Sequence, residues 1–116
     1  MDKNYRFSVI IPVYNVQDYL EVCLASITGQ TIGFDCIQVI LINDGSPDDS
    51  AVICNRFAAE HPDNVIYIEQ PNSGVAAARN KGLEYADGEL LTFLDGDDKW
   101  SEDAFEIAYN AYTEHP

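Results

Sequence analysis

Four short apolar segments alternate with four stretches of helix-forming sequence, and this alternation is what most restricts the fold. The apolar segments are continuous, which is typical of strands buried on both faces of a sheet. The four segments are Ser8–Tyr14, Ile37–Ile42, Val65–Ile68 and Leu90–Leu94. The resulting β-α-β-α-β-α-β-α order predicts an α/β fold with a mainly parallel sheet and right-handed crossovers.

Capping residues predict where the helices begin and end. The first helix is expected to use Asp18 to complete a capping box and to stop at Gly29. Pro47 is expected at the first position of the second helix. The third helix is predicted over Val75–Ala86, with Gly82 as its weak point. The predicted N-terminal caps of the first, second and fourth helices are Asn15, Ser46 and Ser101.

Composition argues against several classes of protein. With 47% hydrophobic and 22% charged residues, the chain resembles a soluble globular domain rather than a disordered or fibrous one. No segment approaches the ~20 apolar residues of a transmembrane helix, so no membrane span is expected. The N-terminus lacks the basic start and cleavage site of a signal peptide. The three cysteines have no C-x-x-C spacing, so we expect reduced thiols and a cytoplasmic location.

The charge of the chain restricts its ligands. Six basic residues stand against 20 acidic residues, which leaves a net charge of −14. Such an acidic chain has no general attraction for nucleic acid or for anionic lipid. A phosphate-bearing ligand would therefore have to be held locally, by a metal ion, a helix N-terminus or a single arginine.

Polar clusters follow three of the four predicted strands. They are Tyr14-Asn15, Asp44-Gly45-Ser46 and Asp95-Gly96-Asp97-Asp98. Each could have a structural role alone, since Asn15 could cap a helix, Asp44 could stabilise a turn and Asp98 could lie in a surface loop. Ligands of open parallel sheets, however, bind outside the carboxyl ends of the strands. Three clusters at this one edge therefore indicate a site.

Asp95 and Asp97 are the strongest candidates for metal binding. Two carboxylates one residue apart repel each other unless a cation lies between them, and Mg²⁺ and Mn²⁺ take oxygen ligands. An EF-hand loop is a poor alternative, because Lys99 and Trp100 occupy positions that its pattern reserves for a ligand and for glycine. A phosphohydrolase with Asp95 as its nucleophile is a second alternative.

Four motifs taken together resemble the family 2 inverting glycosyltransferases, and they cover nearly the whole chain. The resemblance implies a GT-A fold, a Rossmann-like three-layer sandwich whose first half binds a nucleotide-diphosphate sugar, most often a UDP-sugar. It also implies metal-dependent transfer of the sugar to an acceptor hydroxyl with inversion. The motifs are Ser8–Asn15, Ile42–Asp48, Asn72–Gly74 with Ala78–Gly82, and Phe93–Asp98.

The same resemblance implies roles for individual residues. Asp44 would accept a hydrogen bond from the base, Arg79 would lie beside the nucleotide, and Asp95 would face the ribose. Asp97, together with Asp95, would ligate Mn²⁺ or Mg²⁺ between the two phosphates, and Asp98 would support this site. The predicted nucleotide-binding residues are Pro12, Tyr14, Asn15, Asp44, Arg79 and Asp95.

The metal motif lies close to the end of the chain. In this family the general base and the acceptor pocket lie well beyond that motif, so we expect the base beyond Pro116. Residues 1–116 are then expected to be the nucleotide-sugar-binding half of a longer catalytic domain, and a nucleotide-binding module without activity alone is the alternative. The acceptor is expected to be a saccharide or a lipid-linked molecule. An unpaired sheet edge could produce a homo-oligomer, and the parent enzyme could associate with a membrane.

Overall fold

The computed structural model describes residues 4–114 and shows strands and α-helices in strict alternation. A single 3₁₀ turn at Phe34–Cys36 precedes the second strand. The strands are β1 (Phe7–Val13), β2 (Ile37–Asp44), β3 (Val65–Gln70) and β4 (Leu90–Phe93). The helices are α1 (Leu20–Thr28), α2 (Ser50–Glu60), α3 (Val75–Leu83) and α4 (Ala104–Glu114).

The strands form one parallel sheet in the order β3-β2-β1-β4. The chain moves outward from β1 through β2 to β3, and then crosses back to place β4 on the other side of β1. The strand order therefore reverses between β1 and β4, which is where clefts form at the carboxyl edge of open sheets. The predicted α/β fold with a parallel sheet is confirmed.

The two faces of the sheet carry different helices, which makes a three-layer sandwich. On one face, Ile11 and Leu41 belong to the same buried cluster as residues of α1, α2 and α4, and the ring of Phe7 stacks on that of Phe105 at 4.6 Å. On the other face, Ile10 and its β2 neighbours pack against α3. The β1 and β2 side chains are buried on both faces, as their uninterrupted apolar sequence predicted.

Helix α3 lies unusually close to the sheet. A Cβ atom added at Gly82 would lie 2.5 Å from Cγ2 of Ile10, which is well inside van der Waals contact. Gly82 is therefore more than a weak point of the helix, because the absence of a side chain lets α3 approach β1.

The predicted starts of α1 and α2 are wrong. Asn15 does not cap a helix with Asp18: it adopts a left-handed conformation with φ 58°, and α1 begins only at Leu20. Ser46 does not cap α2, which begins at Ser50: its Oγ accepts a hydrogen bond from the backbone N–H of Asn15 and donates to Asp48. Both residues make contacts between loops, and these contacts compete with capping.

Other boundaries differ by a few residues. Helix α3 ends at Leu83 rather than Ala86, whereas α1 ends before Gly29 as predicted. Ser101 lies before the turn that precedes α4, and α4 begins only at Ala104, so Ser101 is not the cap. The three cysteines are free. None of the helices within residues 4–114 combines the length and apolar character needed to cross a membrane.

Candidate functional site

A cleft of about 540 Å³ opens at the carboxyl edge of the sheet, beside the reversal in strand order. Its volume falls in the range of roughly 300–1,000 Å³ that is usual for small-molecule sites. Six of its lining residues were candidates from the sequence, and they come from three different strand ends and from α3: Pro12, Tyr14, Asp44, Arg79, Asp95 and Asp97. Residues far apart in the chain thus share one concave surface.

The loop after β1 forms one wall of this cleft. Pro12 is buried at the end of β1, while Tyr14 is 48% exposed, and both residues line the cleft. Asn15 lies in the same loop but outside the lining residues, and its backbone N–H donates to Oγ of Ser46 at 2.8 Å. The predicted role of Asn15 in nucleoside binding stays a prediction.

Asp44 is buried at the floor of the cleft, with 3% of its surface exposed. Its Oδ1 accepts hydrogen bonds from Gln70 Nε2 at 2.9 Å and from the backbone N–H of Ser73 at 2.8 Å. Its Oδ2 accepts from the backbone N–H of Gly74 at 3.0 Å and from Asn72 Nδ2 at 3.3 Å. Asp44 therefore holds the β3–α3 loop against the end of β2.

These donors determine the charge state of Asp44. Burial raises the pKa of its carboxyl, but the hydrogen bonds from Gln70, Ser73 and Gly74 outweigh burial, and the pKa lies below its usual value. The carboxylate is therefore ionised at neutral pH. A carboxylate offers about four acceptor positions, and four donors already occupy them.

Arg79 and Asp95 face each other across the cleft. An Nη atom of Arg79 lies 3.2 Å from Oδ1 of Asp95, and the guanidinium lies 5.6 Å from the centroid of the Phe93 ring. Nε of Arg79 is buried and has no hydrogen-bond partner within residues 4–114. Both members of this ion pair line the candidate site.

The loop after β4 brings three carboxylates together. Ligand atoms of Asp95, Asp97 and Asp98 lie within 4.8 Å of one another, and all three residues are exposed. Three oxygen donors on an accessible loop fit a hard divalent cation such as Mg²⁺ or Mn²⁺. Strand β4 precedes this loop, whereas a helix precedes an EF-hand loop.

The loop that contains Asp95, Gly96, Asp97 and Asp98, which we call the acidic loop, packs against the segment between β1 and α1. A Cβ atom added at Gly96 would lie 2.8 Å from Cγ2 of Val16. The glycine between the carboxylates therefore lets the loop pack on the β1–α1 loop. Beneath it, burial and the neighbouring acids Asp98, Asp97 and Asp95 raise the pKa of Cys23 to about 12, so this thiol is neutral.

The remaining lining residues were not among the predicted binding or metal-ligating residues. They are Val16, Asn72, Gly74, Val75 and Gly96. A signal for three of them was present, because Pro71–Gly74 has the composition of a turn and is followed directly by a helix. What this signal lacks is the information that β3 lies beside β2, which brings the turn to Asp44.

Comparison with known proteins assigns the family. Residues 8–116 match the profile of the family described as Glycosyl transferase family 2. The chain belongs to this family. The resemblance seen in the four sequence motifs is thereby confirmed, and family 2 membership favours sugar transfer over the phosphohydrolase alternative.

Individual proteins agree with this assignment. The chain is 52% identical over 112 residues to the minor teichoic acid biosynthesis protein GgaB of Bacillus subtilis (strain 168), an alignment that covers 97% of this chain and 12% of GgaB. The structure of S. aureus TarS 1-349 in complex with UDP-GlcNAc superposes with a TM-score of 0.88 at 29% identity, covering 95% of this chain and 32% of that one. The GT-A fold is therefore shown for this family 2 chain.

A third protein adds a metal complex. Mannosyltransferase PcManGT from Pyrobaculum calidifontis, in complex with GDP-Man and Mn²⁺, superposes with a TM-score of 0.79 at 30% identity. That alignment covers 95% of this chain and 32% of the mannosyltransferase. The family 2 chain described here thus spans between 12% and 32% of the length of the three chains that it matches.

Proposed function

We propose that this chain is the donor-binding part of a family 2 glycosyltransferase, which uses a divalent metal to bind a nucleotide-diphosphate sugar. The observation that carries this proposal is the cleft, which joins Tyr14 and Asp44 on one side to the carboxylates of Asp95 and Asp97 on the other. Related structures hold UDP-GlcNAc or GDP-Man, and these ligands support the donor class. A UDP-sugar is the donor that we propose.

The base would bind beside Tyr14, with Asp44 as its acceptor. Because the four acceptor positions of Asp44 are used within the chain, an N–H group of the base would have to replace one donor. The longest of these bonds, 3.3 Å from Asn72 Nδ2, is the one most easily exchanged. Asn72 Nδ2 would keep its 3.0 Å hydrogen bond to the backbone carbonyl of Asp44, and the backbone N–H groups of Ser73 and Gly74 would stay in place.

The diphosphate would lie toward the acidic loop. Asp97, with Asp95 and Asp98, would hold Mn²⁺ or Mg²⁺ there, and the bound ion would offset charge on the departing diphosphate. Arg79 would supply a further positive charge when the nucleotide loosens its pairing with Asp95. The metal ion and Arg79 would thus allow a phosphate ligand to bind although the net charge of −14 repels it.

The proposed reaction is a direct displacement with inversion. The oxygen of an acceptor hydroxyl forms a bond to the anomeric carbon while the bond from that carbon to the diphosphate oxygen breaks. The hydroxyl proton passes to a general base, which we place in the part of the enzyme that follows residue 116. Residues 1–116 would then bind and orient the donor, as the first half of a larger catalytic domain.

Isothermal titration calorimetry with UDP tests donor binding. We expect Mn²⁺ to strengthen UDP binding by the wild-type chain, and Asp97→Asn to abolish most of this strengthening. Asp35→Asn is the matched control, because Asp35 is an exposed acid at the opposite edge of the sheet, just before β2. A UDP affinity that changes neither on addition of Mn²⁺ nor on substitution of Asp97 would refute the proposal.

A second candidate function follows from the share of the relatives that this chain covers. A chain that spans 12% of GgaB and 20% of TarS could be a nucleotide-binding module that transfers no sugar alone. Sugar transfer from UDP-GlcNAc should be compared between residues 1–116 and a version extended at its C-terminus. Equal transfer by both would exclude the module and would place the base within residues 1–116.

A further inference from the structure

Asp48 lies outside the cleft but fastens the loop that forms one of its walls. One carboxylate oxygen accepts hydrogen bonds from the hydroxyl of Ser46 and from the backbone N–H of Ser50, the latter at 3.0 Å. The other accepts from the backbone N–H of Gln17 at 3.1 Å. Asp48 thus connects the start of α2 to the loop between β1 and α1.

Two further hydrogen bonds join the same two loops. Oε1 of Gln17 accepts from the backbone N–H of Asp49 at 2.7 Å, so Gln17 and the 48–49 segment bind each other in both directions. The backbone N–H of Asn15 donates to Oγ of Ser46, whose own proton goes to Asp48. We call Gln17, Ser46 and Asp48 the loop clamp.

The clamp borders a segment with a left-handed residue at its centre. Asn15 has φ 58°, a value that asparagine adopts more readily than most residues other than glycine. On either side of it, Tyr14 and Val16 line the cleft, and Val16 also packs against Gly96 of the acidic loop. The position of this one segment therefore affects both the nucleoside wall and the support of the metal-binding carboxylates.

We propose that Asp48 is a positioning residue for nucleotide binding, acting through Gln17 and Ser46 on Tyr14. This inference rests on the proposed function but assigns a residue that lies outside the cleft. Asp48 does not touch the nucleotide in this proposal. Its ionised carboxylate holds three donors at once, which an amide cannot do because it has a single acceptor oxygen.

Amide hydrogen exchange tests the clamp without any nucleotide. In Asp48→Asn, the N–H groups of Asn15 and Gln17 should exchange faster than in the wild type. Asp49→Asn is the matched control, since Asp49 is the adjacent exposed acid and its side chain makes no capping hydrogen bond. Unchanged exchange at both amides in Asp48→Asn would overturn the proposal.

UDP titration then tests the functional consequence. Asp48→Asn should weaken UDP binding by roughly tenfold, which corresponds to about 1.4 kcal/mol. In a Tyr14→Ala background the same substitution should have little further effect, because the wall that Asp48 positions is already lost. Equal effects in both backgrounds would show that Asp48 acts only on global stability and would overturn the proposal.

These two experiments separate the proposal from the proposed function. If the wild type binds no UDP, the function is refuted, while hydrogen exchange still decides whether the clamp exists. If Asp48→Asn fails to fold, Gln17→Ala removes one side of the clamp at an exposed residue. This variant should speed exchange at the amide of Asp49 and weaken UDP binding, and the absence of both effects would overturn the proposal.

Discussion

At the scale of single residues, Asp44 shows how one side chain can have both a structural and a functional role. Its carboxylate holds the turn before α3 through the N–H groups of Ser73 and Gly74. The same carboxylate lines the proposed nucleotide cleft. Substitutions at Asp44 will therefore change stability and binding together, and the two effects must be measured separately.

We predict that Asp44→Asn lowers the free energy of unfolding by about 1–3 kcal/mol. The amide would present N–H donors to at least one of the backbone N–H groups that now share the carboxylate, and that group would be left unsatisfied. Urea unfolding at pH 7 would measure the change. Asp35→Asn, which removes the same charge at an exposed position, should change stability by less than about 0.5 kcal/mol.

The pH dependence of stability should report on Asp48. Burial raises the pKa of its carboxyl, but hydrogen bonds from Ser46, Ser50 and Gln17 outweigh burial and lower the pKa from 3.8 to about 2. Because the folded state has the lower pKa, the ionised group stabilises the fold above the unfolded-state value. This contribution is lost as the pH falls through about 2.

We therefore expect the stability difference between the wild type and Asp48→Asn to be constant from about pH 7 to about pH 5. It should shrink between about pH 4 and about pH 2 as the wild-type carboxyl becomes protonated. Chemical unfolding at a series of pH values would measure it. A stability difference between the wild type and Asp48→Asn that stays constant down to about pH 2 would contradict this assignment.

At the scale of the elements, the contact between α3 and β1 sets a limit on substitution. Alanine is a better helix former than glycine by about 1 kcal/mol, so propensity alone favours Gly82→Ala. The added Cβ would, however, lie 2.5 Å from Cγ2 of the fully buried Ile10. We predict net destabilisation of about 1–3 kcal/mol, as is usual for overpacking.

Thermal unfolding of Gly82→Ala, of Ile10→Ala and of the double variant tests this prediction. Removing Cγ2 of Ile10 makes room for the new methyl group, so the double variant should lose less stability than the sum of the single losses. Additive losses would show that the two side chains do not compete for the same space.

The strands and their parallel arrangement could be predicted from the sequence, because continuous apolar runs such as β1 report burial on two faces. The helix starts could not be predicted equally well. Asn15 and Ser46 are residue types that commonly cap helices. In the structure they are hydrogen-bonded to each other, which joins the loop after β1 to the loop after β2. This contact depends on β1 lying beside β2. Local sequence does not contain this information.

The location of the candidate site could likewise be predicted from the sequence, whereas its hydrogen-bond network could not. The carboxyl edge rule brings Tyr14, Asp44 and Asp97 to the same region from the order of elements alone. The network around Asp44 was not foreseen, since it depends on the register of β2 with β3, in which Asp44 lies opposite Gln70. Pairing between strands, rather than residue type, determines which turn Asp44 contacts.

At the scale of the whole molecule, the net charge of −14 must be accommodated by the fold. Self-repulsion among exposed acids opposes the compact state, and salt screens it. Raising NaCl from about 0.01 M to about 0.15 M shortens the Debye length from about 30 Å to about 8 Å. We predict a rise in the melting midpoint of roughly 4 °C, which corresponds to about 1 kcal/mol for a domain of this size.

Differential scanning calorimetry at pH 7 would measure this rise. The same comparison near pH 4.1, where the calculated net charge is close to zero, is the control and should show almost no salt effect. A midpoint that falls with NaCl at pH 7 would show that attractive ion pairs such as Arg56–Glu21 outweigh the repulsion.

The pairing of β4 has a consequence for how the two sides of the cleft stay together. Strand β1 pairs with β2 along its whole length, Phe7–Val13, but with β4 only along Phe7–Ile10. The acidic loop therefore follows the shortest strand, which lies at one edge of the sheet. Local unfolding costs far less free energy than global unfolding when few hydrogen bonds are broken. Detachment of β4 from β1 would break few hydrogen bonds and would still disrupt the cleft. A nucleotide sugar that contacts both sides of the cleft would therefore stabilise the pairing of β1 with β4, but only while it is bound.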